Sequence, residues 1–349
     1  MKDGSPRILI IRLSAIGDVV RALPALHVLR EAFPDAHIDW IVERKSAEIV
    51  AGHPLLDETF VFDRTSNLFH SASEYMKLLN AVRADHYDYV LDLHGILKSG
   101  ILSLFSGAPV RIGFAPPRGR ELSYLCANRW VRLGASKMNR VEENLAACGA
   151  LVPRVGYPTI TLFVPPEIQD TVESYFESTF DAGKMVVNIH VPVDRPEKQW
   201  PLEYYAELSD MLIADGRFET LLTWGPGQFP IIEEVVRRSR RAPNIAPEMP
   251  SLKYYAWLVH LCGLYFGGDT GPMHIASAMD TPVVAVFGGT DPARHSPYRP
   301  PFRILFEPDT GGVKRRVAER LRRVTPELAY DACIKLITDT APMRRPKVG

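Results

Sequence analysis

The fold of this chain is decided by the stretch Cys262-Gly-Leu-Tyr-Phe-Gly-Gly-Asp269-Thr-Gly-Pro-Met-His274. An apolar strand ends there in two glycines and an acid, and a helix opens through Thr270, Gly271 and Pro272. Proline suits the first helical turn, where its missing N–H costs no hydrogen bond. The remaining N–H groups then point out of the helix N-terminus, which is where anions such as phosphate bind.

A second apolar run follows this helix and reads Pro282-Val-Val-Ala-Val-Phe-Gly288. A continuous apolar run of this length is typical of a strand buried on both faces of a parallel sheet. Open α/β folds bind their ligands at the carboxyl ends of such strands. The sequence therefore predicts an anion pocket at that edge of a parallel sheet.

The composition is that of a soluble globular protein. The chain has 349 residues, 46% of them apolar, with 41 basic and 41 acidic side chains, and its length predicts about two domains. Because it contains no run of 18 apolar residues and no signal peptide, we expect a cytoplasmic location. The four cysteines lack Cys-x-x-Cys spacing, so we expect neither a metal site nor a disulfide, and the neutral charge gives no reason to expect a nucleic-acid partner.

Strands and helices alternate along the first half of the chain. The pattern predicts strands over 7–13, 37–43, 59–63 and 87–93, and helices over 18–30, 73–84 and 97–106. Within the first of these helices, Pro24 predicts a kink or a late start. The alternation indicates βαβ units and a parallel sheet.

Two consecutive prolines, Pro165 and Pro166, mark the domain boundary, because they interrupt regular structure. Beyond them the pattern restarts, with strands over 185–190 and 218–224 and helices over 202–214 and 231–240. We therefore predict an α/β protein of two parallel-sheet domains, 1–165 and 166–325, that face each other across a cleft. We expect a last helix, about 326–340, to pack back on the first domain.

The loop after the first strand reads Ser14-Ala-Ile-Gly17-Asp18 and carries the candidate for proton transfer. Gly17 allows a tight turn, which sets Asp18 at a helix start. A carboxylate in this place can act as a general base on a bound hydroxyl group. Aspartate is equally common as a plain helix N-cap, and the local sequence leaves both interpretations open.

Further candidates lie in loops of the second half. Lys198 can neutralise a phosphate, whereas Trp200 is expected to anchor the helix that follows it. The turn Thr223-Trp-Gly-Pro-Gly-Gln228 has two glycines, which allow a nucleotide base or ribose to approach its backbone. His274 fits a phosphate or sugar contact. Each also has an ordinary structural interpretation, namely a solvated lysine, a sharp turn and a core or capping histidine.

Basic residues follow the first-half strand that ends at Asp92-Leu-His94-Gly95. They are Lys98, Arg111, Arg118 and Arg120. A basic lining of this kind fits an anionic acceptor, although surface solubility accounts for arginines equally well. The run 314–323 carries six basic residues against one acid, which is typical either of a solvated helix face or of contact with an anionic surface.

Several motifs of other enzyme classes are absent from the sequence. The chain has no G-x-G-x-x-G after its first strand and no G-x-x-x-x-G-K-[ST], which excludes the usual dinucleotide and P-loop sites. It also has no G-x-S-x-G nucleophile elbow and no histidine pair with metal-ligand spacing.

Five motifs, taken in order, resemble those of the bacterial heptosyltransferases of glycosyltransferase family 9. The amino-terminal motif runs from Arg7 through Ser14 and Asp18 to Leu23-Pro-Ala-Leu26. The others are Asp92-Leu-His-Gly-Ile-Leu-Lys-Ser99, Arg111-Ile-Gly-Phe114, Lys198-Gln-Trp-Pro201 and Gly268-Asp-Thr-Gly-Pro-Met-His274. Each motif is weak alone, but their order and spacing agree over almost the whole chain.

The resemblance implies a GT-B fold of two Rossmann-like domains, in which 1–165 binds the acceptor and 166–325 binds the nucleotide sugar. It implies an inverting, metal-independent transfer of heptose from ADP-heptose without a cofactor, with Asp18 as the general base. The donor-binding residues would be Lys198, Gln228, Asp269, Thr270, Gly271, Pro272, Met273 and His274. With the basic lining described above, the acceptor-binding candidates are Ser14, Gly17, His94, Lys98, Arg118 and Arg120.

The resemblance also implies a lipid-linked acceptor of the Kdo–lipid A type and peripheral contact with the cytoplasmic face of the inner membrane. First-domain arginines and the run 314–323 would then meet acidic sugars and headgroups. Two departures from the family pattern are the loop His190-Val-Pro-Val-Asp194-Arg195, which lacks the usual Ser or Thr, and Gln228 in place of a common glutamate. They leave open a second-heptose or hexose transferase. A silent nucleotide-sugar-binding module is a third hypothesis, although such a module needs no base.

Overall fold

The structure is a computed structural model that describes residues 5–63, 68–134, 137–153, 155–156, 158, 162–309 and 316–340, without the side chains of 68–72. The chain divides into two compact units, Met1–Phe163 and Val164–Gly349. This division lies two residues before the boundary expected at the paired prolines. Each unit is built on one parallel sheet.

In the first unit, helices alternate with the strands of a six-stranded sheet, as far as the chain is described. The strands are β1 (Arg7–Ile11), β2 (His37–Glu43), β3 (Glu58–Phe62), β4 (Tyr89–Asp92), β5 (Val110–Phe114) and β6 (Arg129–Val131). The helices are α1 (Ile16–Val20), α2 (Leu23–Ala32), α3 (Arg44–Ala47), α4 (Leu68–Ala84), α5 (Leu97–Phe105) and α6 (Arg140–Cys148), with a 3-10 turn at Ser123–Cys126. The strands lie in the order β3-β2-β1-β4-β5-β6, and neighbours are parallel. The parallel sheet predicted for the first half is confirmed.

The helix expected over 18–30 is divided into two. α1 ends at Val20 and α2 begins at Leu23, so that Pro24 lies in the first turn of α2. A proline in the first turn lacks only an N–H that has no partner within the helix. Of the two outcomes predicted for Pro24, the late helix start is the one observed.

The second unit repeats this architecture. Its strands are β7 (Met185–His190), β8 (Phe218–Thr223), β9 (Asn244–Ile245), β10 (Leu264–Gly268), β11 (Val283–Phe287) and β12 (Phe302–Phe306). Its helices are α7 (Pro166–Thr179), α8 (Leu202–Asp215), α9 (Phe229–Arg238), α10 (Leu252–Leu261), α11 (Gly271–Ala278), α12 (Pro292–His295), α13 (Val317–Arg323) and α14 (Pro326–Thr340). The strands lie in the order β12-β11-β10-β7-β8-β9, again parallel. Among the described residues, no helix combines the length and apolar character needed to cross a membrane.

Trp200 fixes the start of α8 against the second sheet. Its ring is 1% exposed and packs against Tyr205 and Phe266. Its indole Nε1 donates a hydrogen bond to the carbonyl oxygen of Val324 at 2.8 Å. The expectation that Trp200 anchors the following helix is confirmed.

The last helix, α14, packs on the second sheet, and the expectation that it returns to the first domain is wrong. Ala329, Cys333 and Leu336 recur at helical spacing and are buried in the core of the second unit. α14 lies against α8 and the strands β10, β11 and β12. The apolar stripe of α14 is therefore covered within its own unit.

The described part of the basic run 314–323 belongs to α13, and residues 314 and 315 lie outside the described residues. Arg322 pairs with Glu203 at 3.1 Å, and Arg323 pairs with Glu307 at 3.0 Å. Leu321 of the same helix is 1% exposed. These contacts favour the interpretation of α13 as an amphipathic helix with a solvated basic face.

We expect Leu336→Ala to lower the free energy of unfolding of the second unit by about 2–5 kcal/mol, because it leaves a cavity beneath α14. Urea titration followed by circular dichroism measures this change. Hydrogen–deuterium exchange should show faster exchange in peptides of α14 and β10, with β1 and β4 unaffected. Leu328→Ala on the exposed face of α14 is the matched control and should shift stability by no more than about 0.5 kcal/mol. Equal effects of the two variants would contradict this packing.

Candidate active site

The strand order reverses once in each sheet, and the candidate residues follow the strands at that point. In the first sheet, β1 and β4 are neighbours, and the chain leaves them toward opposite edges of the sheet. In the second sheet, β7 and β10 stand in the same relation. Open α/β sheets bind ligands in the crevice at such a switch point. Asp18 and His94 follow the first pair of strands, whereas Lys198 and Asp269 follow the second.

An ion pair between Lys198 and Asp269 lies at the switch point of the second unit, where the strand order reverses. The ammonium Nζ of Lys198 lies 3.0 Å from Oδ2 of Asp269, and the hydroxyl of Thr290 donates to the same oxygen at 2.6 Å. Burial by itself would raise the pKa of Asp269, but the charge of His274 and the contacts with Thr290 and Lys198 hold that pKa below its ordinary value. Asp269 is therefore a carboxylate that holds the lysine in place.

The helix N-terminus predicted from the sequence lies directly beside this pair. Thr270 is the N-cap of α11 and has an extended backbone, Gly271 is the first helical residue, and Pro272 lies in the first turn. The N–H groups of this turn are the ones that a helix cannot satisfy internally. His274, in the same helix, is 4% exposed. The helix N-terminus predicted to bind an anion and the ammonium group of Lys198 are thus adjacent in the folded unit.

Glycine at position 268 is required by close packing of the neighbouring loop. An added Cβ at Gly268 would lie 2.9 Å from Cγ1 of Val193. Val193 belongs to the loop 191–195, which contains no serine or threonine. The loop therefore packs directly on the strand that leads into Asp269.

Gln228 has a structural task within its own turn. Its Oε1 accepts a hydrogen bond from the backbone N–H of Gly225 at 2.9 Å. Trp224 packs against Phe229, with ring centroids 5.1 Å apart, and donates to the carbonyl of Ala246. Both side chains thus stabilise the turn that the sequence assigns to the nucleotide.

The carboxylate of Asp18 lies between two buried arginines in the first unit. Nη2 of Arg12 is 2.5 Å from its Oδ2, and Nη2 of Arg21 contacts its Oδ1. The two arginine side chains are 7% and 8% exposed, whereas that of Asp18 is 30% exposed. The N-cap of α1 is Ala15, without a side-chain cap, so Asp18 is not an N-cap and the alternative structural interpretation is wrong.

His94 stands on a turn held by Asp92. That buried carboxylate accepts the backbone N–H groups of His94 and Gly95 at 3.0 and 2.9 Å and the hydroxyl of Ser99 at 2.9 Å. Burial, and then the charge of Arg12, lower the pKa of His94 to about 3, while Asp18 acts in the opposite direction. His94 is therefore neutral, and its buried Nδ1 has no hydrogen-bond partner among the described residues.

Arg118 holds the turn of His94 in place through hydrogen bonds. Its guanidinium group donates to the carbonyl oxygens of Leu93 and His94 at 3.0 Å and pairs with Glu143 at 2.7 Å. The side chain is 9% exposed, and burial lowers its pKa to about 10. This geometry favours a role in holding the loop over direct contact with a ligand.

The remaining acceptor candidates differ in their exposure and contacts. Lys98 pairs with Glu43 at 2.8 Å and lies over the ring of Phe62. Arg120 is exposed, and its backbone N–H donates to the carbonyl of Gly95 at 2.9 Å. Ser14 is half-buried and Gly17 is buried. The structure thus brings Asp18 and His94 together and places Lys98 with Glu43.

Four residues that contact the candidate site residues were not predicted from the sequence. They are Arg12, Arg21, Glu143 and Thr290. A signal was present for two of them. Arg12 is a charged residue that directly follows four apolar residues of β1, and Thr290 follows the two glycines after β11, at the same sheet edge as Asp269. Arg21 and Glu143 carry no such signal, because their partners become neighbours only in the folded unit.

Comparison with known proteins gives one consistent family. Residues 75–322 match the model of glycosyltransferase family 9 (heptosyltransferase). The chain is 30% identical over 298 residues to lipopolysaccharide heptosyltransferase 1 of Escherichia coli K12. The aligned residues cover 82% of this chain and 89% of that protein.

Solved structures show the same fold. The glycosyltransferase family 9 structure from Veillonella parvula covers 97% of this chain and 99% of its own, with a TM-score of 0.85 at 22% identity. E. coli heptosyltransferase WaaC, solved with ADP, covers 95% of this chain and 99% of its own, with a TM-score of 0.74 at 23% identity. The two Rossmann-like units therefore constitute the GT-B fold that the sequence predicts.

Buried neutral histidines should make the fold sensitive to acid. Burial lowers the pKa of His190 to about 3, so between about pH 6.5 and pH 3 the unfolded chain binds a proton that the folded chain excludes. The stability that His190 contributes is present above that window and is lost as the pH falls through it. We expect His190→Asn to flatten the dependence of unfolding free energy on pH by about 1.4 kcal/mol per pH unit.

Urea titrations at several pH values within that window measure this slope. The matched control is His86→Asn, since His86 is exposed and has the positive φ of 51° that asparagine tolerates. This control should keep the wild-type slope. A wild-type slope in His190→Asn would mean that His190 titrates normally in the folded protein.

Proposed function

This chain belongs to glycosyltransferase family 9, the heptosyltransferases, and we propose that it transfers L-glycero-D-manno-heptose from ADP-heptose to a Kdo residue of the lipopolysaccharide inner core, with inversion. The coarser activity, heptosyl transfer in lipopolysaccharide core synthesis, follows from the family and its relatives. The donor, the acceptor and the mechanism are our proposals.

The donor assignment rests chiefly on Lys198 beside the open N-terminus of α11. The transition state of glycosyl transfer separates a cationic sugar from an anionic diphosphate. An ammonium group and a helix N-terminus stabilise the departing negative charge. The related WaaC structure contains ADP, which supports an ADP-linked sugar here. Since positive charge is supplied by the protein, we propose that the reaction needs no metal ion.

Asp269 fixes the position of the Lys198 ammonium group. Its carboxylate, shared with Thr290, holds the ammonium group at the strand end before the donor arrives. A lysine on a free loop would lose side-chain entropy on binding the diphosphate, whereas a lysine already held loses little. We propose that the phosphate groups contact Lys198, Thr270, Gly271 and Met273, with His274 and Asp269 as neighbouring donor contacts.

Asp18 is the proposed base. Arg12 and Arg21 fix its carboxylate, and its partial exposure leaves it accessible to a hydroxyl group. As the acceptor oxygen forms its bond to the anomeric carbon, its proton passes to Asp18 and the bond from that carbon to the ADP oxygen breaks. Attack from the face opposite the leaving group inverts the anomeric configuration. No covalent intermediate is required.

The acceptor proposal rests on charge. Kdo carries a carboxylate, and the first unit presents Ser14, Gly17, His94, Lys98 and Arg120 at the same sheet edge as Asp18, with Arg118 beneath them. An acceptor that is part of a lipid would bring the protein to the cytoplasmic face of the inner membrane, where anionic headgroups attract arginines. The oxygen of Gln228 is engaged in its own turn, so we assign this residue to shaping the nucleotide site.

The decisive experiment measures ADP release from purified protein given ADP-heptose, with and without Kdo2-lipid A, in EDTA. We expect release that depends on the acceptor and is insensitive to the chelator. Loss of activity in EDTA that Mg2+ restores would contradict metal independence. Binding of ADP-heptose without turnover on this acceptor would favour a second-heptose transferase, tested with a Hep–Kdo acceptor, or a silent binding module. Absence of binding would refute the donor assignment.

We expect Asp18→Ala and Asp18→Asn to lower turnover by about 10²–10⁴-fold, the usual contribution of a positioned base. The affinity for ADP-heptose, measured by calorimetry, should stay at the wild-type value. Asp63→Asn serves as the matched control, since Asp63 pairs with Arg44 at the surface, and it should retain full turnover. Substantial residual turnover in both Asp18 variants would remove Asp18 from the mechanism.

A further inference from the structure

Exposed apolar side chains gather on the first unit beside the acceptor residues. They are Leu97, Leu104, Leu122, Leu125 and Trp130, which are between 42% and 65% exposed; we call them the apolar patch. Scattered exposed apolar residues are ordinary, but a gathered group marks an interaction surface.

These residues are neighbours because α5 packs on the 3-10 turn Ser123–Cys126. Gly100 is the contact point on the helix, where an added Cβ would lie 3.2 Å from Cα of Ser123. Leu97 and Leu104 stand seven residues apart on α5, and therefore share the face on which Gly100 lies. Trp130 joins the group through Tyr124, because its Nε1 donates to the Tyr124 carbonyl and the two rings contact edge to face.

The backbone holds one of these leucines outward at an energetic cost. Glu121 and Leu122 are consecutive non-glycine residues with φ of 53° and 62°, in the left-handed region. Such conformations are costly for residues with a Cβ and cluster at functional sites. Leu122 is 57% exposed in this conformation, so burial of its side chain within the unit does not offset the energetic cost of the backbone conformation.

Positive charge surrounds the apolar patch. Arg120, Arg129 and Arg132 are exposed, and within the described part of the chain none of these guanidinium groups pairs with a carboxylate. The acid of this segment, Glu121, is engaged with the backbone N–H of Leu97 at the start of α5. Arg129 donates to the carbonyl oxygen of Ala150 and Arg132 lies over the ring of Trp130, so both retain their positive charge. Leucines and a tryptophan beside such arginines match the interfacial region of an anionic lipid bilayer, where apolar side chains enter the acyl boundary and cations meet headgroups.

We propose that the apolar patch inserts into the surface of an anionic membrane and thereby presents a lipid-linked acceptor to Asp18. The presentation part rests on the function proposed above, whereas the insertion itself does not. The apolar patch adjoins the turn that carries His94, since the N–H of Arg120 donates to the carbonyl of Gly95 next to His94. An acceptor sugar attached to a lipid held at the patch would therefore emerge close to the turn that carries His94.

The test compares vesicle binding of the wild type with that of the double variant Leu122→Asn/Leu125→Ser. Asparagine tolerates the left-handed backbone, so the fold should be kept, and circular dichroism checks this. The probe is a vesicle of phosphatidylethanolamine and phosphatidylglycerol. We expect the partition coefficient to fall about tenfold or more, since the variant lacks two leucines that would be buried in the membrane. Leu328 of α14 is also more than half exposed, so Leu328→Ser is the control and should bind as the wild type does.

A second variant reports insertion directly. Leu125→Trp should bind these vesicles more tightly and should shift its fluorescence to the blue on binding, because indole prefers the membrane interface. Unchanged binding by the double variant, or unchanged fluorescence of Leu125→Trp, would overturn the proposal. A wild-type dimer in sedimentation that the double variant dissociates would overturn it as well, since the patch would then be a protein interface.

Activity separates this proposal from the function on which it partly rests. With a Kdo acceptor that lacks lipid, the double variant should keep the wild-type kcat/KM, and with Kdo–lipid A in the same vesicles its kcat/KM should fall in parallel with binding. Equal losses on both acceptors would contradict a membrane role. If the wild type transfers to neither acceptor, the proposed function fails, and vesicle binding still decides whether the patch inserts.

Discussion

The reversal of strand order in each sheet is the constraint on which the rest of this structure depends. Parallel strands require crossover connections, and a crossover of fixed hand sends the chain to one side of the sheet only. When the order reverses, two neighbouring strands release their loops in opposite directions and leave a crevice between them. Both units follow the same order, so both have the crevice at corresponding places: β1 beside β4, and β7 beside β10.

Each crevice contains a carboxylate, partly exposed in Asp18 and largely buried in Asp269, but the charged groups around the two carboxylates differ. Asp18 lies between Arg12 and Arg21, so that the local charge is positive. Asp269 shares one oxygen with Lys198 and Thr290, close to an open helix N-terminus. In both crevices the buried charges, Arg12 and Arg21 in the first and Asp269 in the second, have partners of opposite charge, without which their burial would be costly.

The segment 92–130 combines several tasks in one part of the first unit. Asp92 and Arg118 hold the turn of His94 through hydrogen bonds to its backbone. The carbonyl of Gly95 accepts a hydrogen bond from the N–H of Arg120. The same segment then exposes Leu122 and Leu125. Residues that hold the turn of His94 and residues that face outward therefore lie within one segment connected by backbone hydrogen bonds.

The sequence by itself determined the alternation of strands and helices, the two parallel sheets, the helix N-terminus at Thr270 and the anchoring role of Trp200. These follow from local periodicity, proline position and apolar runs, which act over a few residues. Only the tertiary structure decided that α14 covers the second sheet, that Asp18 pairs with Arg12 and Arg21 instead of capping a helix, and that Gln228 closes its own turn. The physical reason is that each of these choices depends on which surface or charge the folded chain brings near, and an apolar stripe or a carboxylate does not carry the identity of its partner in its own sequence.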